Sequence, residues 1–226
     1  MIYSARRGHL AIKRRLILAD TQNKMDSINL ERAIKVLKDG GVVAIPTDTL
    51  YGLAADVFNT VAIDRVFDIK GRPQDLALPV LVSGWEQVAR VAKDLPPQAQ
   101  ALAERFWPGA LTLVVAKADG LPDRLTAGGT TVAVRMPDHP AAIKLMTCLG
   151  GPITGTSANI SGGVDPSTLA ELSDQLGGRV AYVFNEGPEP KGTASTVVDI
   201  TSGEPKLLRE GAIPFEQVAQ TWQTAN

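Results

Sequence analysis

Val42-Val43-Ala44-Ile45-Pro46-Thr47-Asp48-Thr49-Leu50-Tyr51-Gly52-Leu53 is the stretch on which the fold turns. Four apolar residues, three of them β-branched, read as a short buried strand that runs into Pro46. Thr-Asp-Thr leaves that strand directly. Such residues serve most simply as a turn or cap, but strand ends in α/β sheets are also common ligand positions. Upstream, Leu30, Ala33, Ile34 and Leu37 share a helix face, with Asp26 or Ser27 to cap it and Gly40 to stop it. Downstream, a helix over Thr60 to Ile69 buries Ile63, Val66 and Phe67 and delivers Lys70-Gly71-Arg72-Pro73 at its exposed C-terminal end, where cations complement the helix dipole.

Elements then alternate. Leu78 to Val82 reads as a strand, Trp85 to Lys93 and Gln98 to Phe106 as helices, and Leu111 to Ala116 as a strand. Thr131 to Met136 has period two, so Thr131, Ala133 and Arg135 share one face and Val132, Val134 and Met136 the other. Helices near Ala141 to Leu149 and Pro166 to Leu176 follow. Strands at Val180 to Phe184, Thr196 to Ile200 and Lys206 to Arg209 come next, then a helix from Pro214. Strands joined by both helices and short turns favour a mixed parallel and antiparallel twisted sheet flanked by helices in one α+β domain, residues 26–220.

Composition narrows the function. The 226 residues are 44% hydrophobic and 21% charged, which predicts a packed core. A net charge of −1 argues against gripping nucleic acid along the whole surface, so any anion site must be a local concentration of Lys and Arg. The single cysteine, Cys148, excludes an internal disulfide and suits a reducing cytosol. Its neighbours Leu145, Met146 and Leu149 place it as a small core residue. No apolar run approaches the ~20 residues of a spanning helix, so no membrane is expected. Residues 1–24 carry six cations and one acid. This basic N-terminal extension, residues 1–25, is open to three readings: a transit peptide, an RNA-touching arm, or an extension from an upstream start codon ahead of Met25.

Lys70 and Arg72, one glycine apart and followed by proline, can converge on a phosphate chain or carboxylate. Ser157 and Asn159 follow Pro152-Ile153-Thr154-Gly155-Thr156, a run like a strand passing close to a ligand. A serine hydrolase lacks its G-x-S-x-G elbow here, and the histidines are His9 in the basic arm and His139 before Pro140. No Cys/His cluster has metal-ligand spacing, and no G-x-x-x-x-G-K-[ST] loop is present. Gly128-Gly129 and Gly162-Gly163 read as turns.

These pieces, with Trp107 to Thr112, Thr131 to Pro137, Thr156 to Gly162, Ser195 to Asp199 and Leu207 to Gly211, resemble in order and kind the motifs of YrdC-like proteins. The likeness spans nearly all of residues 40–213. It implies a mixed α/β sheet with a deep basic groove, and synthesis of L-threonylcarbamoyl-AMP from L-threonine, bicarbonate or CO2, and ATP. Pyrophosphate is released, and the product serves threonylcarbamoyladenosine modification of tRNA. By the same resemblance, Lys70 and Arg72 are catalytic and contact ATP phosphates and the carbamate. Thr47, Arg135 and Ser195 hold threonine, with Gly155 lending backbone. Thr131, Ser157, Asn159 and Arg209 line the nucleotide side.

Mg²⁺ is expected to travel with ATP rather than in a protein cage, so no metal ligands are assigned. Implied partners are downstream proteins that transfer threonylcarbamoyl to tRNA, in the cytoplasm, without tight tRNA binding by this chain. Adenylation of this kind asks for positioning and charge neutralisation more than covalent chemistry, which suits a site of Lys and Arg without a catalytic His. The family pattern departs at Ala77-Leu78, where proline then leucine is usual. The chain is also expected to lack the second C-terminal domain of longer relatives. A module binding double-stranded RNA in the same groove is the rival reading, and the absence of an aromatic stacking motif counts against it.

Overall fold

Two mixed sheets, not one, organise the chain. The computed structural model describes residues 25–225, so the basic arm lies outside the described residues except for Met25. Helix α1 covers residues 25–38. The first strands are β1 (Val43–Pro46) and β2 (Tyr51–Ala54), then helix α2 (Thr60–Lys70), β3 (Val80–Leu81), α3 (Trp85–Val91) and α4 (Pro97–Phe106). Next come β4 (Leu111–Ala116), β5 (Thr131–Arg135), α5 (Pro140–Leu149), β6 (Ile153–Thr154) and β7 (Thr156–Ser157). The chain closes with α6 (Leu169–Leu176), β8 (Tyr182–Val183), β9 (Thr196–Asp199), β10 (Lys206–Arg209) and α7 (Phe215–Thr224). The smaller sheet has order β7-β2-β1-β8 and the larger β10-β9-β4-β5-β3-β6. Each mixes parallel and antiparallel pairs.

β1 is apolar without alternation because both its faces are covered. Val43 and Ile45 pack with Leu30, Ala33 and Leu37 of α1 and with Leu145 and Met146 of α5. Val42 and Ala44 turn the other way, among Ile63, Val66 and Phe67 of α2 and Leu172 and Leu176 of α6. In the larger sheet, strands β4 and β5 are packed on one face, whereas Leu81 of β3 and Ile153 of β6 also pack with α5. Leu111, Leu113, Val115, Val132 and Val134 meet Val88 and Val91 of α3, Leu102 and Phe106 of α4, and Val218 and Trp222 of α7. Residues between them along each strand necessarily face the opposite way.

The run from Pro152 crosses between the sheets. β6 pairs with β3 in the larger sheet and β7 with β2 in the smaller, with Gly155 between them. A Cβ on Gly155 would sit 2.6 Å from Leu81 Cγ, so only glycine lets the backbone pass β3 that closely. Thr154 stitches the corner. Its Oγ1 donates to the Leu53 carbonyl at 2.6 Å and accepts the Ala55 N–H at 3.0 Å, while its own N–H bonds Ala55 O at 2.9 Å.

Several elements differ from expectation for local reasons. The strand expected at Leu78 to Val82 shortens to two residues, and that at Val180 to Phe184 to Tyr182–Val183. The helix expected from Pro166 starts at Leu169, because Thr168 and Glu171 form a capping box and the Pro166 carbonyl accepts the Tyr51 N–H. Cys148 is exposed rather than a core residue; Leu145 and Met146 take the buried face of α5. Among the described residues no helix is long and apolar enough to cross a membrane.

Candidate active site

The uncovered face of the larger sheet is the floor of a pocket of about 270 Å³. Across that floor run Arg209 from β10, Val197 from β9 with Ser195 just before it, Thr112 from β4, Ala133 and Arg135 from β5, and Leu81 from β3. This is the period-two pattern put to use: the faces opposite Leu111, Leu113, Val132 and Val134 are open to a ligand. The smaller sheet supplies the wall, with Thr47, Thr49 and Leu50 from the β1–β2 turn, Tyr51 and Gly52 from β2, and Thr156 and Ser157 from β7. Arg72, Ala77, Leu78 and Pro79 form the rim, and Asp165 closes the outer side.

Arg135 is 5% exposed. Its Nη1 stands 3.3 Å from Asp48 Oδ1 yet is buried without a hydrogen-bond partner. Asp48 Oδ1 already accepts the Asp138 N–H at 3.1 Å. Burial lowers the arginine's pKa, Asp48 opposes the shift and Arg209 adds to it. Arg135 lines the open floor while its Nη1 stays buried beside Asp48.

Arg209 lays Nε and Nη2 on the Ser195 carbonyl at 3.1 and 2.9 Å, and Nη2 also donates to Ser195 Oγ at 3.0 Å. Ser195 Oγ lies 2.8 Å from Thr112 Oγ1. Thr47 spends its hydroxyl on the turn itself, donating to Leu50 O at 2.7 Å and accepting the Thr49 and Leu50 N–H groups at 3.2 Å. Thr49 Oγ1 lies 2.9 Å from that hydroxyl, and both threonines line the pocket.

Lys70 does not stand at an exposed helix end. It is 1% exposed, and its Nζ donates to Ser157 O at 2.6 Å, Asn159 O at 2.9 Å and Asn159 Oδ1 at 2.8 Å. Three donors meet three acceptors, so the ammonium is saturated. Burial, with Arg72 adding and Asp165 opposing, brings its pKa down to about 8. Asn159 Oδ1 also accepts from Ser157 Oγ at 2.8 Å, and its Nδ2 donates to Gly163 O at 2.7 Å.

Arg72 leaves the helix differently because Gly71 adopts φ 55°, left-handed, and the Arg72 N–H returns to the Phe67 carbonyl. Its side chain reaches the rim and donates to Leu76 O at 3.3 Å and Ala77 O at 3.1 Å. Burial lowers its pKa as well.

Seven residues singled out from sequence thus line one pocket: Thr47, Arg72, Arg135, Gly155, Ser157, Ser195 and Arg209. Lys70 and Asn159 sit behind its wall. Thr131 shares a strand with Arg135 but pairs with Ala116 at the far end of β5, outside the lining. Sequence reading missed Thr49, Thr112 and Asp165. Thr112 had left a signal, a hydroxyl interrupting the apolar run Leu111-Thr112-Leu113. A wider cleft of about 410 Å³ lies beyond the Thr47–Thr49 turn, and none of the ten residues lines it.

Fold and pocket define an α+β protein with a pocket at the junction of two sheets, lined in part by Arg72, Arg135 and Arg209. The Sua5/YciO/YrdC family model, described as "Telomere recombination", matches residues 35–211, and the chain belongs to that family. It is 38% identical over 202 residues to a threonylcarbamoyl-AMP synthase of Pyrococcus abyssi, covering 89% of this chain and 59% of that protein. To the synthase of Bacillus subtilis it is 42% identical over 190 residues, covering 84% and 55%. The chain therefore spans little more than half the length of these curated relatives. The crystal structure of Pyrococcus abyssi Sua5 complexed with L-threonine superposes with a TM-score of 0.82 at 40% identity, covering 85% of this chain and 56% of that one.

Proposed function

We propose that the chain makes L-threonylcarbamoyl-AMP from L-threonine, bicarbonate or CO2, and ATP, releasing pyrophosphate. The observation that carries this reading is Arg135, a buried guanidinium in the lining of a floor that also carries the hydroxyls of Thr112 and Ser195. The names of the relatives and the L-threonine in the Pyrococcus structure support it. Arg135 takes the α-carboxylate of threonine, which fixes the amino group over the floor. There the amine adds to CO2 with loss of a proton, or to bicarbonate with loss of water, giving a carbamate. A carbamate oxygen attacks the α-phosphorus of ATP, and the bond to pyrophosphate breaks.

The protein's work is to hold the two anions together against their repulsion. Arg72 at the rim and Arg209 at the far edge lie to either side of Arg135 and serve the phosphates. Lys70 and Asn159 support Ser157 on the nucleotide side. Thr131, on the same face of β5 as Arg135, faces the nucleotide side. Mg²⁺ would accompany ATP and neutralise part of the phosphate charge, and Asp165 in the pocket lining is a carboxylate that would be available to it. Proteins that transfer the threonylcarbamoyl group to tRNA consume the product, and a cytosolic setting fits the free, exposed thiol of Cys148. The test is pyrophosphate release from ATP. We expect it only when L-threonine and bicarbonate are both present, and equal release without threonine overturns the reading.

A further inference from the structure

The floor contains a relay of hydrogen bonds that ends on Thr112, a residue with no role so far. Arg209 Nη2 donates to Ser195 Oγ at 3.0 Å, and Ser195 Oγ lies 2.8 Å from Thr112 Oγ1. Each hydroxyl has one proton. One proton closes the Ser195–Thr112 contact. The other has no further acceptor on either oxygen among the described residues, although Thr112 is only 4% exposed and lines the pocket. A buried O–H left undonated is costly, so the arrangement is complete only when a ligand accepts it.

Electrostatics selects the direction. With a guanidinium at one end, the aligned order is Arg209 N–H to Ser195, Ser195 O–H to Thr112, and Thr112 O–H outward, each donor polarised by the one before it. That final O–H emerges on the same floor as Arg135, which lies on the neighbouring strand β5. We infer that Thr112 is a substrate-binding residue whose hydroxyl donates to a carboxylate or carbamate oxygen held by Arg135, with Ser195 and Arg209 positioning it. This rests on the reading that the pocket binds threonine. The relay also assigns Ser195 a different task from direct contact: it accepts a hydrogen bond from Arg209 and passes the polarisation on.

Calorimetry with L-threonine and, separately, ATP tests it on the full chain. Thr112→Val keeps the shape and removes the hydroxyl, and Thr112→Ser restores the hydroxyl without the methyl. We expect Thr112→Val to weaken threonine binding at least tenfold, as befits a hydrogen bond to a charged group. Thr112→Ser should return to within about threefold, with ATP binding unchanged in both. In the Arg209→Met background the effect of Thr112→Val should shrink, because the relay has lost its cation. Threonine binding by Thr112→Val as tight as the parent's overturns the inference, as does a Thr112→Ser protein no better than Thr112→Val, which would mark a packing role. No threonine binding by the parent chain, with or without ATP, instead overturns the functional reading on which the inference stands.

Discussion

Lys70 and Arg72 are two residues apart in the chain and act on opposite sides of the pocket wall. The sequence shows two like charges around a glycine. It does not show that the first will meet carbonyls 87 and 89 residues further on, which is why Lys70 reads as a solvent-facing group until the fold is known. Among the described residues, replacing it by methionine removes the side-chain donor to the Ser157 and Asn159 carbonyls and one of two donors to the Asn159 amide oxygen. We expect Lys70→Met to cost about 3 kcal/mol of stability, from several buried acceptors left short of a donor. Arg72→Met breaks only bonds to rim carbonyls and should leave the melting temperature within a degree or two of the parent. Its cost should fall instead on ATP affinity, roughly tenfold or more, with a shallower salt dependence because a phosphate contact is lost. Thermal unfolding and nucleotide titration of both variants separate the two roles, and equal melting temperatures would show that Lys70 is not caged.

Strands long enough to show alternation were legible before folding. β4 and β10 begin and end where the pattern places them, and β5 presents Arg135 and Ala133 on the face opposite Val132 and Val134. The division into two sheets was not legible, because β6 and β7 have two residues each and period two needs more than that to register. The run around Gly155 did announce a close approach, but what it approaches is Leu81 as much as any ligand. Thr154 gave no signal, since its partners Leu53 and Ala55 are a hundred residues away in sequence. Its hydroxyl sits at the corner with 0% exposure. Thr154→Val keeps the shape and strands the Ala55 N–H, so we expect a loss of about 2 kcal/mol by denaturant titration, with weakened ligand binding as floor and wall lose register. An unchanged unfolding midpoint would show that the corner is held by packing alone.

At the scale of the molecule, the pocket lies on the seam between two cores, one on either side of the smaller sheet, and a titratable amine is sealed behind it. Free lysine keeps its proton up to a pKa of 10.5, whereas Lys70 holds it only to about 8. Between those values the folded chain sheds the proton before the unfolded chain does, so this group makes stability rise with pH across that window. The neutral amine has two N–H donors for three acceptors, and the Ser157–Asn159 wall loosens. Activity should therefore decline with a midpoint near pH 8. Over the same range the melting temperature of the parent should gain on that of Lys70→Met, which has nothing to titrate there. Rate and melting curves from pH 7 to 10 for the two proteins check both slopes, and a parallel pair of melting curves would break the link. The buffer that best preserves this protein in storage is then not the one in which it works fastest.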